Sequence, residues 1–183
     1  LYERERKAYC KNIVNQNFTA NGPNEIWVSD VTCYYFQEKY YYICVILDLF
    51  SRMVVGYKIS YKNSTQLVKS TFKIAYAFRN PPKGLIFHTD RGASYKSYTF
   101  MSYLKSYGIV QSFSRAHIPY DNSVVESFFA SMKREELYRR KYKSEKELRE
   151  AIYEYIEFYN SKRPHSSNNY KTPTSKESEY LSK

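Results

Sequence analysis

EIWVSDVTCYYFQEKYYYICVILDLFSRMVVGYKIS, residues 25–60, is the stretch on which the fold turns. It contains three runs rich in Val, Ile, Tyr and Phe: Glu25 to Tyr35, Lys39 to Leu47 and Arg52 to Ser60. Short polar breaks separate them, which predicts three antiparallel strands in a meander. Upstream, Asn21-Gly22-Pro23-Asn24 is a turn signal that marks where the compact domain begins. Residues 1–20 read as an N-terminal arm or linker and residues 21–183 as one domain.

Downstream the pattern changes to alternating helix and strand. Leu67, Val68, Phe72, Ala75 and Tyr76 recur at helical spacing in Thr65 to Phe78, with Asn63 or Ser64 as N-cap and Pro81-Pro82 as stop. A short strand from Gly84 to His88, a helix around Tyr98 to Tyr107 and a strand from Ile109 to Phe113 follow. The last third predicts two helices, Asp121 to about Arg140 and Glu145 to Tyr159, and regular pattern ends at Pro164. The expected class is α/β, a central mixed sheet of three antiparallel and two parallel strands flanked by helices.

Composition narrows the function. Lys and Arg number 29 against 18 Asp and Glu, a formal charge of +11, which favours a polyanionic partner. The longest apolar run, near Ile43 to Phe50, is interrupted by Asp48 and is much shorter than the ~20 residues of a spanning helix, so no membrane partner is expected. Cys10, Cys33 and Cys44 form no CxxC pair and have no zinc-ligand spacing, which suits a reducing cytoplasm. The opening residue is Leu and the first stretch is charged and weakly patterned, so a piece of a longer polypeptide is expected.

Three acidic residues carry the chemistry: Asp30 in WVSDVT, Asp90 in HTDRG and Glu126 in YDNSVVESFF. Period-2 alternation puts Ile26, Val28, Asp30 and Thr32 on one strand face. Asp90 directly follows a strand, and Gly92 lets the chain turn closely past it. Glu126 and Lys133 are seven apart, two helical turns along one stripe with Ala130 between and Leu137 beyond. Converging carboxylates are hard oxygen ligands for Mg²⁺ or Mn²⁺, and two such ions about 3.5–4 Å apart suit phosphodiester displacement.

Five stretches in order resemble the catalytic region of bacterial insertion-sequence transposases of the IS-three group, relatives of retroviral integrases. They are PNEIWVSDVT, VILDLFSRMVVGY, IFHTDRGASYKS, SFSRAHIPYDNSVVESFFASMKREELY and YIEFYNSKRPHSSNNYKTP. The resemblance implies a ribonuclease H-like fold, a DDE triad at Asp30, Asp90 and Glu126, and two Mg²⁺ or Mn²⁺ ions per site. It further implies DNA strand cleavage and transfer on transposon ends and target DNA, by a homo-oligomer in the bacterial cytoplasm at the nucleoid. Lys133 matches the family's basic residue seven after the glutamate, and Arg91 and Asn122 match family positions expected at DNA. The family's upstream helix-turn-helix region has no counterpart in these residues. The rival readings are a ribonuclease H-like nuclease that only hydrolyses, and a non-catalytic DNA-binding or assembly module.

Structural alternatives stand beside these roles. Asp90 is also placed to form an Asx-turn, and Ser123-x-x-Glu126 has capping-box spacing, unless Asp121 or Asn122 is the cap and leaves Glu126 free. Asp48 reads as structural, near Arg52 at a strand end, and His88 as a packed or hydrogen-bonded histidine. His117 and His165 sit in basic loops and are candidates for phosphate contact. Arg139, Arg140, Lys141 and Lys143 suit either a solvated loop or a phosphate contact. The 22 Tyr read mainly as packing residues with hydroxyls at the rim rather than as base-stacking platforms.

Overall fold

In the computed structural model, which describes residues 11–14, 20–114 and 122–183, the 25–60 stretch forms the expected meander. Its strands are β1 (Ile26–Phe36), β2 (Lys39–Asp48) and β3 (Val54–Ser60). Gln37 and Glu38, at φ of 45° and 60°, make the two-residue β1–β2 connection, whose backbone twist matches that of the strands it joins. Helix α1 (Thr65–Arg79) leads to β4 (Ile86–Thr89), and α2 (Tyr98–Ser106) leads to β5 (Val110–Phe113). The sheet order is β3-β2-β1-β4-β5: the first three strands are antiparallel, and β4 and β5 extend β1 in parallel.

β2 is paired on both edges, with β1 and β3, and its side chains alternate between two cores. Ile43, Val45 and Leu47 face Val125, Phe128 and Met132 of α3 (Ser123–Met132) and Leu148 and Ile152 of α4 (Glu145–Ser161). Cys44 and Ile46 face Phe72 and Ala75 of α1 and Phe100 of α2. Burial on both faces is why β2 reads as an almost unbroken apolar run. A Cβ on Gly56 would lie 2.7 Å from that of Ala75, so the Gly–Ala pair sets how closely α1 packs on β3. Serine 64 caps α1 and Ser144 caps α4, each accepting a backbone N–H of the first turn.

Asp48 is structural, as expected, though its ion-pair partner is Arg79 and not Arg52. Fully buried, it accepts the N–H groups of Asn24 (2.7 Å) and Phe50 (2.9 Å) and the Arg79 guanidinium (3.3 Å). Burial nevertheless pushes its carboxyl up to about 6. Arg79 also grips Glu177 through both terminal nitrogens, at 2.6 and 3.0 Å. Glu177 belongs to α5 (Pro173–Leu181), an element absent from the sequence reading. Thr172 as cap and Pro173 as first helical residue start it, and the Arg79 pair anchors it.

Two further expectations are corrected. The helix expected to run to Arg140 is α-helical only to Met132 and continues as a π turn from Lys133 to Leu137. That turn moves Leu137 off the Glu126 stripe and into the core, 1% exposed. His165 is no surface phosphate ligand: it is buried, edge-on to the Tyr159 ring, with Nε2 3.2 Å from the Tyr159 carbonyl oxygen. His117 lies outside the described residues, as does most of the expected arm. Of that arm, Lys11 accepts the Phe113 N–H (2.8 Å) and Ile13 donates to Ser112 Oγ (2.9 Å), so residues 11–14 lie against β5. Among the described residues no helix is long and apolar enough to cross a membrane.

Candidate active site

The parallel pairing of β1 with β4 brings the first two acids together. Ser29 is in register with Thr89, so Asp30 and Asp90 are the next residues along two neighbouring strands, which run about 4.8 Å apart. The third acid comes from the helix packed on the same face. Val28, two residues before Asp30, and Val125, next to Glu126, belong to one core cluster, and Glu126 stands exposed in the first turn of α3. Asn122 is the N-cap residue, so Ser123 is already helical and the capping-box alternative fails.

Charge ties the three together. Asp30 is pushed up to about 7, chiefly by burial, and the negative charges of Asp90 and Glu126 add to the effect. The Val31 N–H, donating to Asp30 Oδ1 at 2.7 Å, offsets part of it. Among the described residues no three His, Cys, Asp or Glu side chains are gathered closely enough to hold a metal ion between them. Mutual repulsion of three like charges favours that open arrangement. As a donor set, a half-buried carboxylate with two more within electrostatic reach fits a hard divalent cation.

The loop after β4 is shaped around Asp90. Asp90 Oδ1 accepts the Gly92 N–H at 2.9 Å, the Asx-turn anticipated from the sequence. A Cβ on Gly92 would sit 2.9 Å from that same oxygen. Gly92→Ala is therefore expected to push the Asp90 carboxylate aside while sparing the core. Any reaction that needs the Asp90 carboxylate in place should slow roughly tenfold to a hundredfold, the scale of a 1 Å misplacement. A thermal melt within ~1 kcal/mol of the parent would show that the fold is intact; an unchanged rate would mean that the Asp90 position is not critical.

Sequence reading missed the pin beneath this loop. Tyr95, 2% exposed, shares a 2.9 Å hydrogen bond with Ser29 Oγ, and its carbonyl accepts from Gln111 Nε2 at 3.0 Å. The Asp90 loop is thus fastened to the strand residue beside Asp30. The signal was faint: one Tyr among many in a polar loop. His88, as expected, is a buried hydrogen-bonded histidine, its Nδ1 2.8 Å from Ser112 Oγ.

Of the residues expected at DNA, Arg91 is exposed beside Asp90, and its Nε donates to the Ser114 carbonyl at 2.8 Å. Lys133 is half-buried where the α-helix passes into the π turn. Asn122 is 5% exposed, and its buried Oδ1 has no hydrogen-bond partner among the described residues. In the basic stretch, Arg140 is exposed and pairs with Glu136 at 3.2 Å. Tyr35 and Tyr40 meet at a tilt at the exposed hairpin end; among the described residues Tyr41, Tyr95, Tyr142, Tyr155 and Tyr159 are buried as the packing reading expects, while Tyr61, Tyr98, Tyr138, Tyr153, Tyr170 and Tyr180 are exposed.

Comparison with known proteins agrees with this geometry. Residues 20–119 match a family model described as integrase core domain, and residues 107–173 match a second model with the same description. The transposase for insertion sequence element IS904 of Lactococcus lactis is 39% identical over 163 residues, covering 88% of this chain and 64% of the relative. Escherichia coli InsK, a putative transposase for IS150, is 35% identical over 88% of the chain and 57% of the relative. InsF for IS3A from the same organism is 37% identical over 85% of the chain and 54% of the relative. Among solved structures, the HTLV-2 integrase catalytic core domain in complex with magnesium superposes with a TM-score of 0.67 at 25% identity, over 84% of this chain and 96% of that one. A simian T-cell lymphotropic virus intasome chain gives 0.75 at 20% identity, over 87% of this chain and 56% of that one. The fold is ribonuclease H-like, as the resemblance implied. The chain spans from just over half to just under two thirds of the length of these bacterial relatives.

Proposed function

The chain belongs to the integrase core domain family, and from that premise we propose that it catalyses divalent-metal-dependent DNA strand cleavage and strand transfer in insertion-sequence transposition. The observation that carries this reading is the Ser29–Thr89 register, which sets Asp30 and Asp90 side by side at the ends of neighbouring parallel strands; Asp30 is half-buried, and its burial first, with the charges of Asp90 and Glu126 adding, opposes its ionisation. A structural carboxylate such as Asp48 has an arginine partner. Asp30 instead stands beside two further negative charges, a costly arrangement that a cation would relieve.

In this reading Asp30 and Asp90 would share two Mg²⁺ or Mn²⁺ ions and Glu126 would complete the second site. The ions, when bound, would activate the attacking oxygen and stabilise the leaving one. Water or a DNA 3′-OH is the nucleophile, and no covalent enzyme intermediate is needed. Lys133 and Arg91 engage phosphates next to the acids, and Asn122 sets the start of the helix that carries Glu126 on the DNA side. The partners are transposon-end and target DNA, engaged by a homo-oligomer in the bacterial cytoplasm. Residues 1–20 serve as the arm and 21–183 as the catalytic domain.

Supplying the chain with Mn²⁺, a duplex bearing a pre-cut end and a target duplex tests the reading. Joined product is expected. Hydrolysis without joining would favour the nuclease reading, and neither activity, with DNA binding intact, a non-catalytic module. A +11 chain with no base-reading motif in its sequence is also expected to bind end and random DNA with similar, salt-sensitive affinity. Lys133→Ala should lower the slope of log affinity against log salt by about one for both. Strong end preference in competition binding would place sequence recognition within this domain.

A further inference from the structure

Helix α3 presents Val125, Phe128, Phe129 and Met132 to the core at α-helical spacing. Continued at that spacing, the next core position would be Glu135 or Glu136. The buried residue is Leu137 instead. The one-residue offset is absorbed by the π turn Lys133–Leu137, in which the Tyr138 N–H reaches back five residues to the Lys133 carbonyl at 2.9 Å. Such turns are uncommon in α-helices and recur at functional sites.

Side chains from three other parts of the fold hold this turn. Tyr34 Oη of β1 donates to the Leu137 carbonyl at 3.1 Å, and Tyr142 Oη from the linker before α4 donates to Glu136 Oε1 at 3.1 Å. The Glu135 carboxylate accepts a two-pronged bond from Arg163, just beyond α4, at 2.8 and 2.7 Å, and a third from Tyr155 Oη of α4 at 2.9 Å. The bidentate fork fixes orientation as well as distance. Arg163 also holds the Glu135 carboxyl down to about 2, so the clamp stays ionised across the working pH range.

We propose that Glu135, clamped by Arg163 and Tyr155, is a positioning residue for Lys133: by holding the π turn it fixes the direction in which Lys133 leaves the helix towards DNA. Lys133 is the first residue of the turn, and its carbonyl is the acceptor that closes it. Relaxation to α-helix would rewind residues 134–137, draw Leu137 out of the core and change the backbone hydrogen bonding at Lys133. Helix α4 and the Arg163 that follows it thereby set the geometry of the helix that carries Glu126. This inference rests on the DNA-contact role proposed above for Lys133.

The test uses the full chain and clamp variants that conserve net charge, so that these leave long-range attraction to DNA unaltered. Glu135→Asp shortens the clamp, Arg163→Lys removes the fork, and Tyr155→Phe deletes one hydroxyl and serves where the first two fold poorly. The readouts are a thermal melt and the salt slope of binding to a random-sequence duplex, each variant made alone and together with Lys133→Ala. Lys133→Ala alone should lower the slope by about one. Each clamp variant should lower it by part or all of that amount, and should add nothing once Lys133 is gone. A clamp variant that melts lower but keeps the parent slope, or one whose effect is equal in both backgrounds, overturns the inference and leaves a merely structural ion pair. An unchanged slope in Lys133→Ala itself overturns the role of Lys133 and the inference with it, whereas the joining assay on pre-cut ends still reports separately on the proposed activity.

Discussion

Asp30→Asn, Asp90→Asn and Glu126→Gln should each abolish strand joining, a loss of about a thousandfold or more, the upper scale for removing one essential charge-stabilising group. Each substitution preserves volume and removes the charge that would hold an ion. For Asp30 the effect on stability should run the other way. Burial, with Asp90 and Glu126 adding, pushes its carboxyl up from 3.8 to about 7, so between those values the folded state retains a proton that the unfolded chain has already released. Stability of the chelated protein therefore falls as pH rises from about 4 to about 7 and levels off above that. The ceiling on the loss is about 4 kcal/mol, reached by counting ~1.4 kcal/mol per pKa unit, and partial solvent access reduces it. In excess chelator at pH 8, Asp30→Asn should melt higher than the parent, and at pH 4 the two should coincide. An Asn variant that joins DNA at the parent rate would take Asp30 out of the triad.

The positions of the three acids were readable because each lies in a short stretch whose local pattern names its element: alternation around Asp30, a buried run before Asp90, helical spacing after Glu126. That Asp30 and Asp90 end up side by side was not readable from those patterns alone, since it depends on the Ser29–Thr89 register between strands sixty residues apart. The same limit hid the Tyr95–Ser29 bond and helix α5. That helix buries only Pro173 and Glu177 and is anchored by an arginine 98 residues away, so it has almost no apolar signature of its own. His165 misled because its sequence neighbours are basic and polar, while its ring packs on Tyr159, six residues earlier. The π turn differs again: its only sequence trace is that the apolar residue stands at 137, one place beyond where α-helical spacing puts it.

Joining should stop completely in excess chelator and return with Mg²⁺ or Mn²⁺ but not with Ca²⁺, whose larger, more flexible coordination shell suits the reaction poorly. The same ions should stabilise the fold if Asp30, Asp90 and Glu126 hold them, because a cation bound by the folded chain alone raises its stability. At a hundredfold excess over Kd the gain is about 2.7 kcal/mol, or roughly 5–10 °C in melting midpoint for a domain of this size. The gain should depend on pH in a direction set by Asp30. Below about 7 that side chain carries a proton that the ion must displace, so the Mn²⁺ shift should be small at pH 5.5 and full at pH 8. In Asp30→Asn the shift should shrink at every pH and lose its pH dependence, since the titrating ligand is gone. Melts with and without Mn²⁺ at the two pH values separate site binding from general screening of charge, because screening of a +11 chain by a divalent cation would act alike in parent and variant. Joining that continues in chelator, or a Mn²⁺ shift identical in Asp30→Asn and parent, would mean that these carboxylates do not hold the metal.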